Sequence, residues 1–188
     1  MIDCLYEPFK HWAGKGSVWI FSDPHFADSD CKFMNLNWIT PEEQVKILNS
    51  KITKNDTFIC LGDCGDLEYI KQIRAGKKVL IKGNHDDKGS SYYKDVFNEV
   101  YGGPLFISDK ILLSHEPIDL PFVFNIHGHV HNDKLTRDNG LNLAADVCNW
   151  EPLNLGKFIK NGGVSKIDNI HRFTINRAID KKGEKIGK

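Results

Sequence analysis

Four short polar motifs, each at the end of an apolar run, constrain this chain more than any other feature. Asp23-Pro24-His25 follows Val18-Trp19-Ile20-Phe21, Gly62-Asp63 follows Phe58-Ile59-Cys60-Leu61, and Gly83-Asn84-His85-Asp86 follows Val79-Leu80-Ile81. Further on, Ile111-Leu112-Leu113 leads up to His115, and the stretch 122–126 leads up to Gly128-His129-Val130-His131. Runs this short, rich in β-branched and aromatic residues, read as buried strands. Polar groups at the carboxyl ends of such strands sit where open α/β sheets build their sites.

The intervening segments supply a scaffold. Strands are expected over 17–22, 57–61 and 78–82, with helices from Thr40 and over 67–75, a succession that favours parallel βαβ units. Thr40-Pro41-Glu42-Glu43 has a hydroxyl N-cap, proline at the first helical position and acids facing the positive end of the dipole. Val45, Leu48 and Ile52 recur at helical spacing. The stretch 90–97 reads as helical, 104–107 and 110–114 as a hairpin around Ser108-Asp109, and 122–127 and 141–147 as strands. Asn154 caps a short helix ended by Asn161-Gly162-Gly163. The loop 26–39, long and without periodicity, either overhangs the site or covers a sheet edge. At 188 residues the chain is expected to form one domain over 1–188, with a solvated, frayed tail from about residue 180.

Composition narrows the partners. Twenty-five basic residues balance 25 acidic ones, so no global field draws nucleic acid or an anionic membrane, although a local basic patch stays open. No apolar run approaches the roughly 20 residues of a membrane span, and the first residues, with Asp3, Glu7 and Lys10, lack a signal-peptide core. A cytoplasmic location is expected. The five cysteines include no CxxC pair and read as reduced, small apolar residues.

Chemistry is concentrated in the motifs. Asp23 and His25 are two apart at a strand end, so an anionic oxygen and an imidazole leave one face together. His129 and His131 repeat that spacing beside Gly128. Asp63 has two oxygens and can bridge two cations. Asn84 offers a carbonyl ligand, His85 titrates near neutrality, and Asp86 can orient or charge it. Taken singly, each motif is also explained by a turn or a buried, satisfied histidine. Taken together, five of the eight histidines fall at strand ends in one order.

In that order, D-x-H, G-D, G-N-H-D, H and G-H-x-H resemble the calcineurin-like metallophosphoesterase superfamily. The resemblance runs from Asp23 to His131. It implies an α/β fold, a four-layer α/β/β/α sandwich with mixed sheets. It also implies Asp23, His25 and His131 on one divalent metal, Asn84, His115 and His129 on a second, Asp63 bridging them, and His85 as the proton donor with Asp86 beside it. Ser114-His115-Glu116-Pro117 and the stretch 142–153, with Asp146-Val147-Cys148-Asn149-Trp150, are similar to the small bacterial and phage phosphoesterases. Cys64-Gly65-Asp66 stands where protein Ser/Thr phosphatases carry Asp-Arg-Gly, which disfavours that subgroup.

Imidazole, carboxylate and amide ligands without thiolate suit two ions of manganese first, with iron, zinc, nickel or cobalt as alternatives. The expected activity is phosphodiester hydrolysis by a hydroxide shared between the cations. A phosphomonoesterase or nucleotide pyrophosphohydrolase is the alternative, and a non-catalytic scaffold a remoter one. The expected partner is a small phosphate ester, nucleotides included, with no membrane and no strong nucleic-acid signal; the sequence leaves the oligomeric state open. Of the polar residues following the motifs, Arg137 is the expected phosphate contact, together with Asn84, because a guanidinium holds phosphate through two parallel hydrogen bonds. His11, His127 and His171 fit no ligand position.

Overall fold

The computed structural model of the chain describes residues 2–35, 37–137 and 139–167, without the side chains of Met34 and Arg137. The expected tail and His171 lie outside the described residues. In chain order the elements are a 3₁₀ helix (Glu7–Ala13), β1 (Val18–Phe21), α1 (Cys31–Met34), α2 (Pro41–Lys51), β2 (Thr57–Cys60), α3 (Leu67–Gln72), β3 (Lys77–Ile81), α4 (Ser90–Tyr93), β4 (Glu99–Tyr101) and β5 (Leu105–Phe106). They continue with β6 (Ile111–Leu113), β7 (Phe124–His127), β8 (Thr136–Arg137), β9 (Gly140–Asn142), β10 (Leu153–Asn154) and α5 (Leu155–Lys160).

Two five-stranded mixed sheets result, ordered β10-β1-β2-β3-β4 and β5-β6-β7-β9-β8. β1 to β4 run parallel, as do β6, β7 and β9, while β10, β5 and β8 pair antiparallel at the edges. Alternation along the strands divides the core in two. Val18 and Ile20, Ile59 and Leu61, and Val79 and Ile81 face Ile111, Leu113, Ile126 and Leu141 of the second sheet. The other face of the first sheet, with Phe21, Phe58, Cys60 and Leu80, packs on Val45, Leu48 and Ile52 of the α2 segment and on Leu67 and Ile70 of α3. This is the α/β architecture of two mixed sheets with helices that the resemblance implies.

Local chemistry sets the helix ends. Thr40 is the expected N-cap and, with Glu43, forms a reciprocal capping box, Asp66 caps α3, and the Asn154 side chain accepts from the Lys157 amide. Ser108 Oγ accepts from the amides of Lys110 and Ile111 (3.2 and 3.1 Å) and turns the β5–β6 hairpin.

Several expectations shift. The helix expected over 90–97 ends at Tyr93 and continues only as turns. The strand expected over 141–147 leaves its ladder after Asn142. There the Ser22 amide donates to Leu143 O at 3.1 Å and Ser22 bridges Ala144, so the chain crosses from the second sheet to the first. The loop 26–39 contains α1 and is tied to the 146–150 segment: Asn37 Nδ2 donates to Asp146 O (3.0 Å), and Trp150 Nε1 donates to Asn37 O (2.9 Å).

Candidate metal centre

Because β1, β2, β3, β6 and β7 are parallel within their sheets, the loops that follow them can gather at one rim. The Ser22–Ala144 bridge draws the two sheets together there. Two glycines permit the close approach. Gly62 has φ +102° and is wedged against Gly83 and the His115 ring; a Cβ on Gly128 would collide with Ser22 and Asp23. Asp23, His25, Asp63 and His129 themselves hold positive φ, at 53°, 42°, 49° and 68°. Each such backbone costs on the order of 1 kcal/mol or more, and here the cost falls on candidate ligands.

Two sets of ligand atoms converge: Asp23, His25 and His131 in one, Asp63, His115 and His129 in the other, each with its atoms within 4.8 Å of one another. Asn84 joins the second set, its Oδ1 lying 2.8 Å from His115 Nε2, which is 3.1 Å from His129 Nδ1. Asp63 lies between the sets: Oδ2 is 3.6 Å from His25 Nε2 and 3.4 Å from His115 Nε2, while Oδ1 accepts from the His85 amide at 2.9 Å.

Three imidazoles are held from behind, leaving Nε2 pointing inward. His115 Nδ1 lies 2.9 Å from Leu61 O, His131 Nδ1 2.7 Å from Asp146 Oδ1, and His25 Nδ1 3.3 Å from Asp28 Oδ2. Asp146 is itself fixed by the Asn132 amide at 2.7 Å. Asp28 and Asp146 are the site residues that the motifs miss. Asp146 lies within the 142–153 stretch, whose aspartate was the available signal; nothing in the sequence singles out Asp28.

The donor set fits divalent cations. Asp23 Oδ1 and His25 Nε2 are buried with no hydrogen-bond partner among the described residues, a costly arrangement unless something else occupies the space between them. Asp23 is fully buried, with Oδ2 accepting from the His129 amide at 2.9 Å and Oδ1 3.8 Å from His131 Nε2. Burial pushes its carboxyl pKa up, against the opposing pull of His115. Burial lowers the His115 pKa, but the Asp63 hydrogen bond, the charges of Asp23 and Asp63, and Leu61 O outweigh it and raise it to about 9. Burial likewise lowers His131, and Asp146 with Asp23 outweighs it. For His25 burial prevails and the pKa falls. The shifts oppose one another because burial and neighbouring charge pull each group in different directions.

His85 is exposed, its ring 5.4 Å from that of His25. Asp86 departs from the expected pairing with that ring. It is buried, and its oxygens accept from the amides of Asp63 and Gly83 (both 2.8 Å) and Cys64 (3.2 Å) and from the Cys64 thiol (3.0 Å). The carboxylate ties the two ligand loops together because three amides converge on it. Arg137 lies in β8, and its side chain is outside the described residues. His127 is buried with Nδ1 2.9 Å from Gly128 O, and His11 binds Glu99 at 2.6 Å, away from the site.

A model of the calcineurin-like phosphoesterases matches residues 16–186, and the chain belongs to that family. Metal-dependent hydrolysis of phosphoesters is the activity that this membership implies. No curated protein matches the chain. Among solved structures, a protein of unknown function from Aquifex aeolicus superposes with a TM-score of 0.65 at 23% identity, covering 77% of this chain and 98% of its own, and supports the fold. The nuclease MPE of Pseudomonas putida shares 24% identity over 61% of this chain and 60% of its own, with a TM-score of 0.43. No helix among the described residues is long and apolar enough to cross a membrane.

Proposed function

We propose that the chain is a dinuclear phosphodiesterase acting on a small phosphate ester. The observation that carries this reading is the position of Asp63 between two ligand sets, the first of which holds two buried polar atoms lacking a hydrogen bond among the described residues, Asp23 Oδ1 and His25 Nε2. Asp23, His25 and His131 would hold one cation, Asn84, His115 and His129 the other, and Asp63 both. When bound, two such cations, manganese first among them, acidify water and withdraw charge from phosphate oxygens.

This chain's own residues would do the rest. Asn84 stands at the opening, where its amide can also meet a phosphate oxygen. His85, exposed beside His25, would pass a proton to the leaving alkoxide. Asp86 fixes the loops that carry Asp63 and His85. Arg137 is retained as the proposed phosphate contact. Charge at the opening favours a diester over a monoester: Glu116 lines it opposite Lys82 beside Asn84 and His115, and the nearby Lys88 Nζ is already 3.2 Å from Asp87. Such a rim offers little to a phosphate's second negative charge.

The test is metal analysis together with hydrolysis of paired bis- and mono-nitrophenyl phosphates in manganese. Two metals per chain and faster diester turnover are expected. One metal, or a preference for the monoester, would overturn the reading.

A further inference from the structure

Behind the first ligand set lies a group that the proposed chemistry leaves unused. His25, Asp28 and Cys31 bring a ring nitrogen, a carboxylate oxygen and a thiol sulfur within 4.8 Å of one another. Their H-x-x-D-x-x-C spacing comes from the start of loop 26–39 and the first residue of α1. His25 Nδ1 and Asp28 Oδ2 are 3.3 Å apart. Two ligands about 2.0 Å from a zinc ion, at a tetrahedral angle, would be separated by about 3.3 Å.

Cys31 differs from the buried Cys60 and Cys64 and the half-buried Cys148. Cys60 Sγ donates to Gly62 O, Cys64 Sγ to Asp86, and Cys148 Sγ to Leu143 O and Ala145 O. Cys31 is buried, and among the described residues its sulfur makes no hydrogen bond. Burial, then the charges of Asp28, Asp23, Asp146 and Asp30, pushes its thiol up to about 12. Those four carboxylates create a field that repels a thiolate and attracts a cation.

We propose that His25 Nδ1, Asp28 and Cys31 form a third, inhibitory site for a thiophilic divalent cation such as zinc. Binding replaces the thiol proton, which leaves to solvent, with a zinc–sulfur bond, and leaves the neutral His25 ring with its proton on Nε2. That nitrogen then points a hydrogen, not a lone pair, toward Asp63. A single imidazole serves cations on both nitrogens only by losing both protons, so occupation of the outer site withdraws His25 from the inner one. The inhibitory consequence rests on His25 being an inner ligand, as proposed above; the site itself does not.

Cobalt titration of the full chain separates the two. The inner sets contain no thiolate, so a thiolate-to-cobalt charge-transfer band in the near ultraviolet cannot come from them, and its loss in Cys31→Ser assigns it to the outer site. The band should appear in the wild type and vanish in Cys31→Ser. Its absence from the wild type, or its survival in a folded Cys31→Ser, overturns the proposal. Asp28→Asn, at a partly exposed position, should weaken the band and serves if Cys31→Ser fails to fold; an undiminished band in that variant also overturns the site. With manganese-loaded protein, excess zinc should inhibit diester turnover, and Cys31→Ser should raise the half-inhibiting concentration about tenfold or more. Equal inhibition of both proteins overturns the coupling through His25. If the chain hydrolyses no phosphoester at all, the band still decides the site, so failure of the activity and failure of the site are told apart.

Discussion

Asp23 and Asp56 are both buried, at opposite ends of the first sheet. Asp56, just before β2, is satisfied by the chain itself: Oδ1 accepts from the Ser17 amide (2.7 Å), and Oδ2 from the Thr53 amide (2.8 Å) and hydroxyl (2.9 Å). Asp23, just after β1, keeps one oxygen without a hydrogen bond and sits on a positive-φ backbone. The end where strands begin closes its polar groups on one another. The end where they finish leaves groups aimed at a common point. The folded chain gives up stability at that end, and the proposed metals would return it.

The largest test of this contrast is Asp63→Ala. If Asp63 serves both ligand sets, metal content should fall from about two per chain to one or none, and activity should disappear. Two tightly held metals with normal turnover would mean that the rim is not built around this carboxylate. His85→Ala comes next. It should keep both metals and lower kcat on an alkyl or ribose ester by roughly 10²–10⁴. A nitrophenyl ester, whose leaving group needs no proton, should lose much less. Equal loss on both esters would make His85 a charge stabiliser, and loss of metal would make it a ligand.

The two aspartates can be set against each other directly. Asp56→Ala removes three hydrogen bonds to a buried carboxylate and should cost roughly 2–4 kcal/mol in denaturant unfolding, with metal content unchanged. Asp23→Asn should leave the metal-free chain as stable or more stable, because it removes a buried charge with an unpartnered oxygen. It should also weaken metal binding and reduce the rise in Tm on adding manganese. If both variants destabilise the metal-free chain alike, the contrast between the two ends does not hold.

What the sequence makes legible follows the same divide. The ligand motifs are read directly because each sits at the end of a recognisable strand, and the Thr40 and Asn154 caps because capping is a local affair. β4 and β10 escape because their reasons are distant. Glu99-Val100-Tyr101 forms a short, half-buried edge beside β3, and Leu153-Asn154 gains its order from Trp19 and Ile20 far up the chain. The same holds in the site. His131 announces itself by spacing, but its partner Asp146 is brought close by the crossing at Leu143, and Asp28 matters only because the chain folds back on His25 after Pro24.

The smallest effect is expected at Glu99, the other satisfied carboxylate of the quiet end. Its oxygens meet His11 Nε2 (2.6 Å), the Tyr101 hydroxyl (2.8 Å), Trp12 Nε1 (3.1 Å) and Lys77 Nζ (3.4 Å). Burial raises its pKa, but the hydrogen bonds from His11, Tyr101 and Trp12 outweigh it, and the folded value lies below the ordinary 4.5. A carboxyl with a depressed folded pKa contributes stability that is fully present above its unfolded pKa and is lost as pH falls through the folded one. Glu99→Gln keeps the size and removes the charge. The difference in unfolding free energy between wild type and variant should therefore be greatest near neutrality and shrink below about pH 4.5, the unfolded value, with metal content the same in both. A difference that stays constant down to pH 3 would show that shape, not charge, holds the 3₁₀ helix to β4, and that this end is stabilised by packing in the way the site end is not.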